Sequence, residues 1–213
     1  MKNNCIMYRS LITSVRFRSK IFYKQFSAYT IRNQSTYYTL FPDTLRDGPP
    51  PKGAFDLNAR ELRREFLRLQ SKTHPDLART EEDRVLYESA SSELNKAYST
   101  LVSPLSRALY LLDLGGHGIS EETGRTMPQD LTLLMEVYEL LERIEEAETE
   151  EQVLDIKKEV ENRIRETETA VASAFNSNSI IEARKATVVL KYWVNVRDAL
   201  KEWEPGQEFR MVH

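Results

Sequence analysis

Lys72-Thr73-His74-Pro75-Asp76-Leu77 is the stretch on which the fold turns. Pro75 pushes the residue before it toward extended geometry and cannot continue a helix. Upstream, Leu62, Phe66 and Leu69 fall at i, i+4 and i+7, one apolar stripe of a helix. Asp56 is a candidate N-cap, so this helix is predicted to run to about Lys72. Downstream, Thr80-Glu81-Glu82-Asp83 puts a capping hydroxyl and then acids at the positive end of a helix dipole. Tyr87, Ala90, Leu94, Ala97 and Leu101 follow at steps of 3, 4, 3 and 4, a seam whose small residues permit close approach. The prediction is an antiparallel helix pair joined by a His-Pro-Asp loop. A tripeptide alone is weak, since any turn can contain it; two patterned helices around it make it specific.

The first helix also carries Arg60, Arg64, Arg68 and Lys72 at a spacing of four, with Arg63 beside them. Such spacing keeps cations on one slowly drifting face. A charge run is usually a solvated face. Here the neighbouring acids are Glu61 and Glu65 alone, and the stripe leads toward the loop, so it is read as a docking surface.

Outward from this core, polarity changes abruptly. Residues 1–36 hold seven cations (Lys2, Arg9, Arg16, Arg18, Lys20, Lys24 and Arg32) and no acid. Taking these seven from the 30 Lys+Arg leaves 23 against 33 Asp+Glu in the remainder. Arg-rich, Ser-rich and acid-free is the composition of a mitochondrial transit peptide; the alternative is a basic arm for RNA or anionic lipid. The acidic remainder argues against nucleic acid as a main partner. No apolar run approaches the roughly 20 residues of a membrane span, so stable membrane association is not expected. The single cysteine, Cys5, lies in the segment expected to be removed. No disulfide, Cys-type zinc site or thiolate-held cluster is then expected. His74, His117 and His213 show no ligand spacing.

Toward the C-terminus, Ser103-Pro104 starts a short helix through Leu112, and Gly115, Gly116 and Gly118 break the chain. Three helices are predicted near 128–147, 151–175 and 179–203, with short connections that imply antiparallel neighbours. On the first, Leu133, Val137, Leu140 and Ile144 form the core stripe. Leu131, Leu134, Met135 and Tyr138 centre elsewhere, and Glu139, Glu142 and Glu146 continue that second face. An apolar patch rimmed by acids is a partner-site pattern; the competing reading packs Leu134 and Tyr138 against a neighbouring helix.

Helix, His-Pro-Asp loop and antiparallel helix is the arrangement of the J-domain, which activates DnaK-type (heat-shock 70) ATPases, and the chain resembles that family. Leu94-Asn95-Lys96-Ala97-Tyr98, Thr100-Leu101, Pro104-Leu105, Arg107-Ala108 and Tyr110-Leu111-Leu112 are similar to the HscB branch, the co-chaperones of iron–sulfur cluster biogenesis. The resemblance covers about 37–205. It implies an all-α protein with a J-domain at 37–113, a linker at 114–127 and a three-helix domain at 128–205, behind the transit peptide read from composition at 1–36. The animal-type members add a Cys-x-x-Cys zinc motif that this chain lacks, so it resembles the simpler, fungal-style mitochondrial form.

The resemblance also implies roles. His74, Pro75 and Asp76, with Arg60, Arg63, Arg64, Arg68 and Lys72, would bind the nucleotide-binding domain of a mitochondrial DnaK-type chaperone near its linker. Leu134, Met135, Tyr138 and Glu139 match the surface that binds an IscU-type scaffold; Glu142, Glu146, Lys191 and Tyr192 are further carry-overs. The protein would act in the mitochondrial matrix, with no cofactor and no metal of its own. His74 beside Asp76 could act as a general base, but no nucleophile, phosphate loop or pocket surrounds it. ATP hydrolysis then belongs to the chaperone, whose conformational equilibrium this protein shifts. The other reading is a structural helical adaptor or degenerate J-like subunit of a mitochondrial complex. An intact His-Pro-Asp favours the co-chaperone, because a structural role needs only the turn.

Overall fold

Six α-helices and no strand occur among the residues that the computed structural model describes, namely 36–119, 131–147, 149–201 and 203. They are α1 (Ala59–Thr73), α2 (Glu81–Val102), α3 (Pro104–Leu114), α4 (Leu131–Glu145), α5 (Glu150–Asn176) and α6 (Ile180–Lys201). The all-α expectation holds. The proposed transit peptide, through residue 35, and much of the proposed linker lie outside the described residues.

The described chain divides into two compact units. The first comprises 36–46 with 58–98, the second 47–57 with everything from 99 onward. The short helix α3 packs on α5 and α6, whereas the sequence reading grouped it with the preceding helix pair, inside 37–113.

In the first unit α1 begins at Asn58, not at the expected Asp56. Asn58 Oδ1 accepts from the amides of Arg60 and Glu61 at 3.2 and 3.3 Å, the usual N-cap arrangement. Asp56 is still loop, because the preceding Phe55 amide is bound to Asn176 Oδ1 at 2.9 Å within the second unit. Thr80 caps α2 as expected, its Oγ1 accepting from Asp83 N at 3.1 Å. Phe66 stacks on Tyr98 with centroids 4.2 Å apart, and Gln70 Nε2 donates to Ser91 Oγ at 2.9 Å. As the number rises along α1 it falls along α2, so the pair is antiparallel. A 3-10 turn at Tyr37–Leu40 leads in, burying Tyr38 and Leu40, followed by buried Phe41 and Leu45. Glu65 is buried as well, and its two oxygens accept from the amides of Asp43 and Thr44 at 3.0 and 2.8 Å.

The second unit is built on the hairpin of α5 and α6. Thr149 and Gln152 close a capping box at the start of α5. Asn178 makes the turn to α6 with φ of 57°, a conformation that Asn tolerates better than other residues with a Cβ. Val153, Ile156, Val160, Ile164 and Val171 of α5 and Ala183, Leu190, Trp193, Val196 and Leu200 of α6 are buried. Phe55 joins this core between Phe175, stacked at 5.2 Å, and the guanidinium of Arg107, 4.5 Å from its ring centroid. Arg107 is itself buried and donates to Leu101 O at 2.9 Å. Gly53 cannot be replaced cheaply, because a Cβ there would collide with the carbonyl oxygen of Gly48.

Candidate functional site

The loop between α1 and α2 is held by its own backbone. His74 closes α1 in extended geometry, and Pro75–Leu77 form a single 3-10 turn. Leu77 N donates to His74 O at 3.0 Å, and Ala78 N to Pro75 O at 2.9 Å. His74 Nδ1 accepts from Asp76 N at 3.3 Å and lies 3.4 Å from Asp76 Oδ2. These two contacts exclude one another: the amide needs a bare Nδ1, the carboxylate a protonated one. The amide contact shapes the loop, since it ties ring to backbone wherever the carboxylate moves. The side chains remain in solvent, His74 at 53% and Asp76 at 86% exposure. A fixed backbone that presents polar side chains outward is preorganised for a partner.

The cations of α1 differ in their neighbours. Arg60, Arg63 and Arg64 are exposed and, with Leu67, line a shallow depression. Arg64 approaches one carboxylate, Glu61, at 3.8 Å. Arg68 is committed elsewhere: it pairs with Asp43 and lies 3.6 Å from the buried Glu65. The hydrogen bond and charge of Arg68 hold the Asp43 carboxyl below its ordinary range, and the same hydrogen bond raises the Arg68 guanidinium. Spacing alone could not show this, because Asp43 is 25 residues away from Arg68.

In the second unit, Leu133, Val137, Leu140 and Ile144 of α4 are buried, the core stripe expected from their spacing. One flank of α4 is clipped to α5 by Arg143 with Glu159 at 2.7 Å and Glu136 with Arg163 at 3.4 Å. The other flank carries the candidate partner face. Met135 and Tyr138 are 63% and 57% exposed, Glu139, Glu142 and Glu146 are exposed, and Leu134 is half-buried. The Leu131 side chain lies outside the described residues. On α6, Lys191 and Tyr192 are half-buried. Burial, and then the nearby phenol of Tyr138, push the Tyr192 hydroxyl up from its ordinary value. Tyr138 of α4 thus lies near enough to Tyr192 of α6 to influence it, and Lys191 is next to Tyr192 on the chain. Among the described residues no group of three His, Cys, Asp or Glu is placed to hold a metal ion. No described helix is long and apolar enough to cross a membrane.

Residues 129–201 match the family model described as the HSCB C-terminal oligomerisation domain. The mitochondrial J-type co-chaperone JAC1 of Saccharomyces cerevisiae is 34% identical over 188 residues, 85% of this chain and 96% of the relative. The chain belongs to the HscB family of iron–sulfur cluster J-type co-chaperones. The human iron–sulfur cluster co-chaperone HscB is 33% identical over 150 residues, 70% of this chain and 63% of that relative. Solved structures agree with this HscB-type architecture. The Jac1 co-chaperone of Saccharomyces cerevisiae matches with a TM-score of 0.67 at 31% identity, over 81% of this chain and 99% of that one. The crystal structure of human HscB gives a TM-score of 0.69 at 32% identity, over 78% and 81%.

Proposed function

We propose that this HscB-type chain stimulates the ATPase of a mitochondrial DnaK-type chaperone and delivers to it an IscU-type iron–sulfur scaffold, in the mitochondrial matrix. The observation that carries the reading is the His74-Pro75-Asp76 loop, exposed and held by its own backbone at the end of a helix bearing Arg60, Arg63 and Arg64. Chaperone docking is assigned to that loop and face, with Lys72 beside it. Arg68, paired to Asp43 and Glu65, holds the lead-in segment to α1 and takes part in docking only at the margin. Scaffold binding is assigned to Leu134, Met135, Tyr138, Glu139, Glu142 and Glu146 of α4 with Lys191 and Tyr192 of α6. The functional division remains a J-domain at 37–113, a linker at 114–127 and a scaffold-binding domain at 128–205, behind a transit peptide at 1–36.

Chemistry in this scheme stays with the chaperone. The co-chaperone supplies binding energy that favours the hydrolysis-competent conformation, and its own residues perform no reaction. The cluster is cargo on the scaffold, so the co-chaperone needs no metal ligands and no cofactor.

Replacing His74, Pro75 and Asp76 by alanines tests the reading. The loop lies outside both helix seams, so the variant should melt as the parent does. Stimulation of the chaperone ATPase should vanish. A well-folded triple variant that stimulates normally would refute the mechanism and favour a structural adaptor.

A further inference from the structure

Four-residue spacing drifts around a helix by about 40° per step at 100° per residue. From Arg60 to Lys72 the drift totals about 120°, and Arg68 has already turned onto Asp43 and Glu65. The straight continuation of Arg60, Arg63 and Arg64 toward the loop is Leu67, at i+7, i+4 and i+3, and then Ser71. Leu62, Glu65 and Leu69 mark the buried seam of α1. Leu67 stands roughly 165° away from the middle of that seam and is 54% exposed. It cannot be a core residue that slipped outward. A lone exposed leucine needs no explanation. This one shares a depression with three guanidinium-bearing side chains, whose aliphatic stems extend its apolar surface. Ser71 is small and exposed, and its hydroxyl is turned back to Arg68 O at 2.9 Å. The path from Leu67 to the His74 loop is therefore free of bulky side chains on this face.

We propose that Leu67 is the apolar anchor of the chaperone-docking face, seated in a hydrophobic notch of an otherwise acidic chaperone surface, with Arg60, Arg63 and Arg64 as its cationic rim. This rests on the co-chaperone reading above. Arginines around an apolar centre steer and orient an acidic partner, and the central side chain then sets the lifetime of the complex. The occupant is the chaperone because this face of α1 continues into the His74-Pro75-Asp76 loop, to which the reading above assigns chaperone docking, and its cationic rim suits an acidic partner. The drift of the helix also assigns different work to neighbouring cations: Arg64 rims the anchor, and Arg68 positions the lead-in segment.

The test uses the full mature chain and the purified, ATP-bound mitochondrial DnaK-type chaperone of the same organism. Docking is measured for the parent, Leu67→Ser, Leu67→Met and Arg64→Glu across a range of salt. Leu67→Ser should weaken docking about tenfold at every salt concentration, with an unchanged melt and an unchanged salt slope. Leu67→Met should restore docking, because volume and apolarity return. Arg64→Glu should instead change the slope itself. Leu67→Ser docking as the parent does would overturn the anchor alone. A parent chain that fails to dock would overturn the co-chaperone reading and the anchor with it.

Discussion

Truncating Met135 and Tyr138 together to alanine should remove scaffold binding and leave the fold intact. The structure sets both magnitudes. These side chains are 63% and 57% exposed, so their loss opens no cavity, and surface changes of this kind stay within about 0.5 kcal/mol each. On the same helix Leu140 is buried at 3% exposure. Leu140→Ala serves as the internal standard: it should cost about 2–5 kcal/mol, a fall of roughly 5–15 °C in Tm for a chain of this size. If Met135 and Tyr138 form the centre of the partner face, their truncation should cost about 2 kcal/mol or more in binding, about 30-fold in Kd. Calorimetric titration with a purified IscU-type scaffold reads the affinity, and thermal melting of the two variants reads the fold. A double variant that melts as low as Leu140→Ala would mean that these residues hold the bundle together. A double variant that binds scaffold as tightly as the parent would remove this face from the site.

Glu65→Ala should destabilise the first unit by about 1–3 kcal/mol, because the amides of Asp43 and Thr44 lose their acceptors; a melt unchanged from the parent would show that water replaces the carboxylate freely. Glu168→Gln should raise Tm at neutral pH. Burial, opposed by Arg107, pushes the Glu168 carboxyl above its ordinary value. A group whose folded pKa lies above its unfolded value contributes stability below the unfolded pKa and loses it as pH rises through the folded one. The variant's advantage should accordingly fade on acidification into the carboxylate range, and a gain that persists at low pH would contradict the sign.

Helix identities were legible wherever periodicity or capping is local. The buried stripe of α4 matches its spacing because a packed helix needs one apolar face; in α1 Leu62 and Leu69 are buried as expected, while Phe66 is half-buried and Glu65 takes a buried place instead. The Thr80 cap reads directly from type and position. The start of α1 did not, because Asn176, far along the chain, holds Phe55 in the loop. The capping box of α5 was present in sequence as Thr149-x-x-Gln152, and applying that pattern would have moved the predicted start back by one residue. For the site, spacing found the exposed face of α4 and the cations of α1. It could not separate Arg68 from Arg64, since the partner that distinguishes them, Asp43, is distant in sequence. Nor could it show that Tyr138 lies near enough to raise the Tyr192 hydroxyl, a proximity set only when helices of one unit pack. Leu67 had a readable signal, an apolar residue opposite its own helix seam, but that signal means little until its exposure and its guanidinium neighbours are known.

The two candidate surfaces share a construction. In each, a helix completes its buried stripe without the candidate residues and then carries apolar side chains inside a ring mainly of one charge, Glu61 beside Arg64 and Lys191 beside Tyr192 being the exceptions. Around Leu67 on α1 the ring is arginine; around Met135 and Tyr138 on α4 it is Glu139, Glu142 and Glu146. If the chain holds a chaperone and a scaffold as proposed above, the opposite signs help to sort them. An acidic partner matched to α1 meets repulsion at α4, and a basic partner matched to α4 meets repulsion at α1. Misplaced like charges cost more than a few missing apolar contacts gain. On that reading the side chains that attract one partner also disfavour the other.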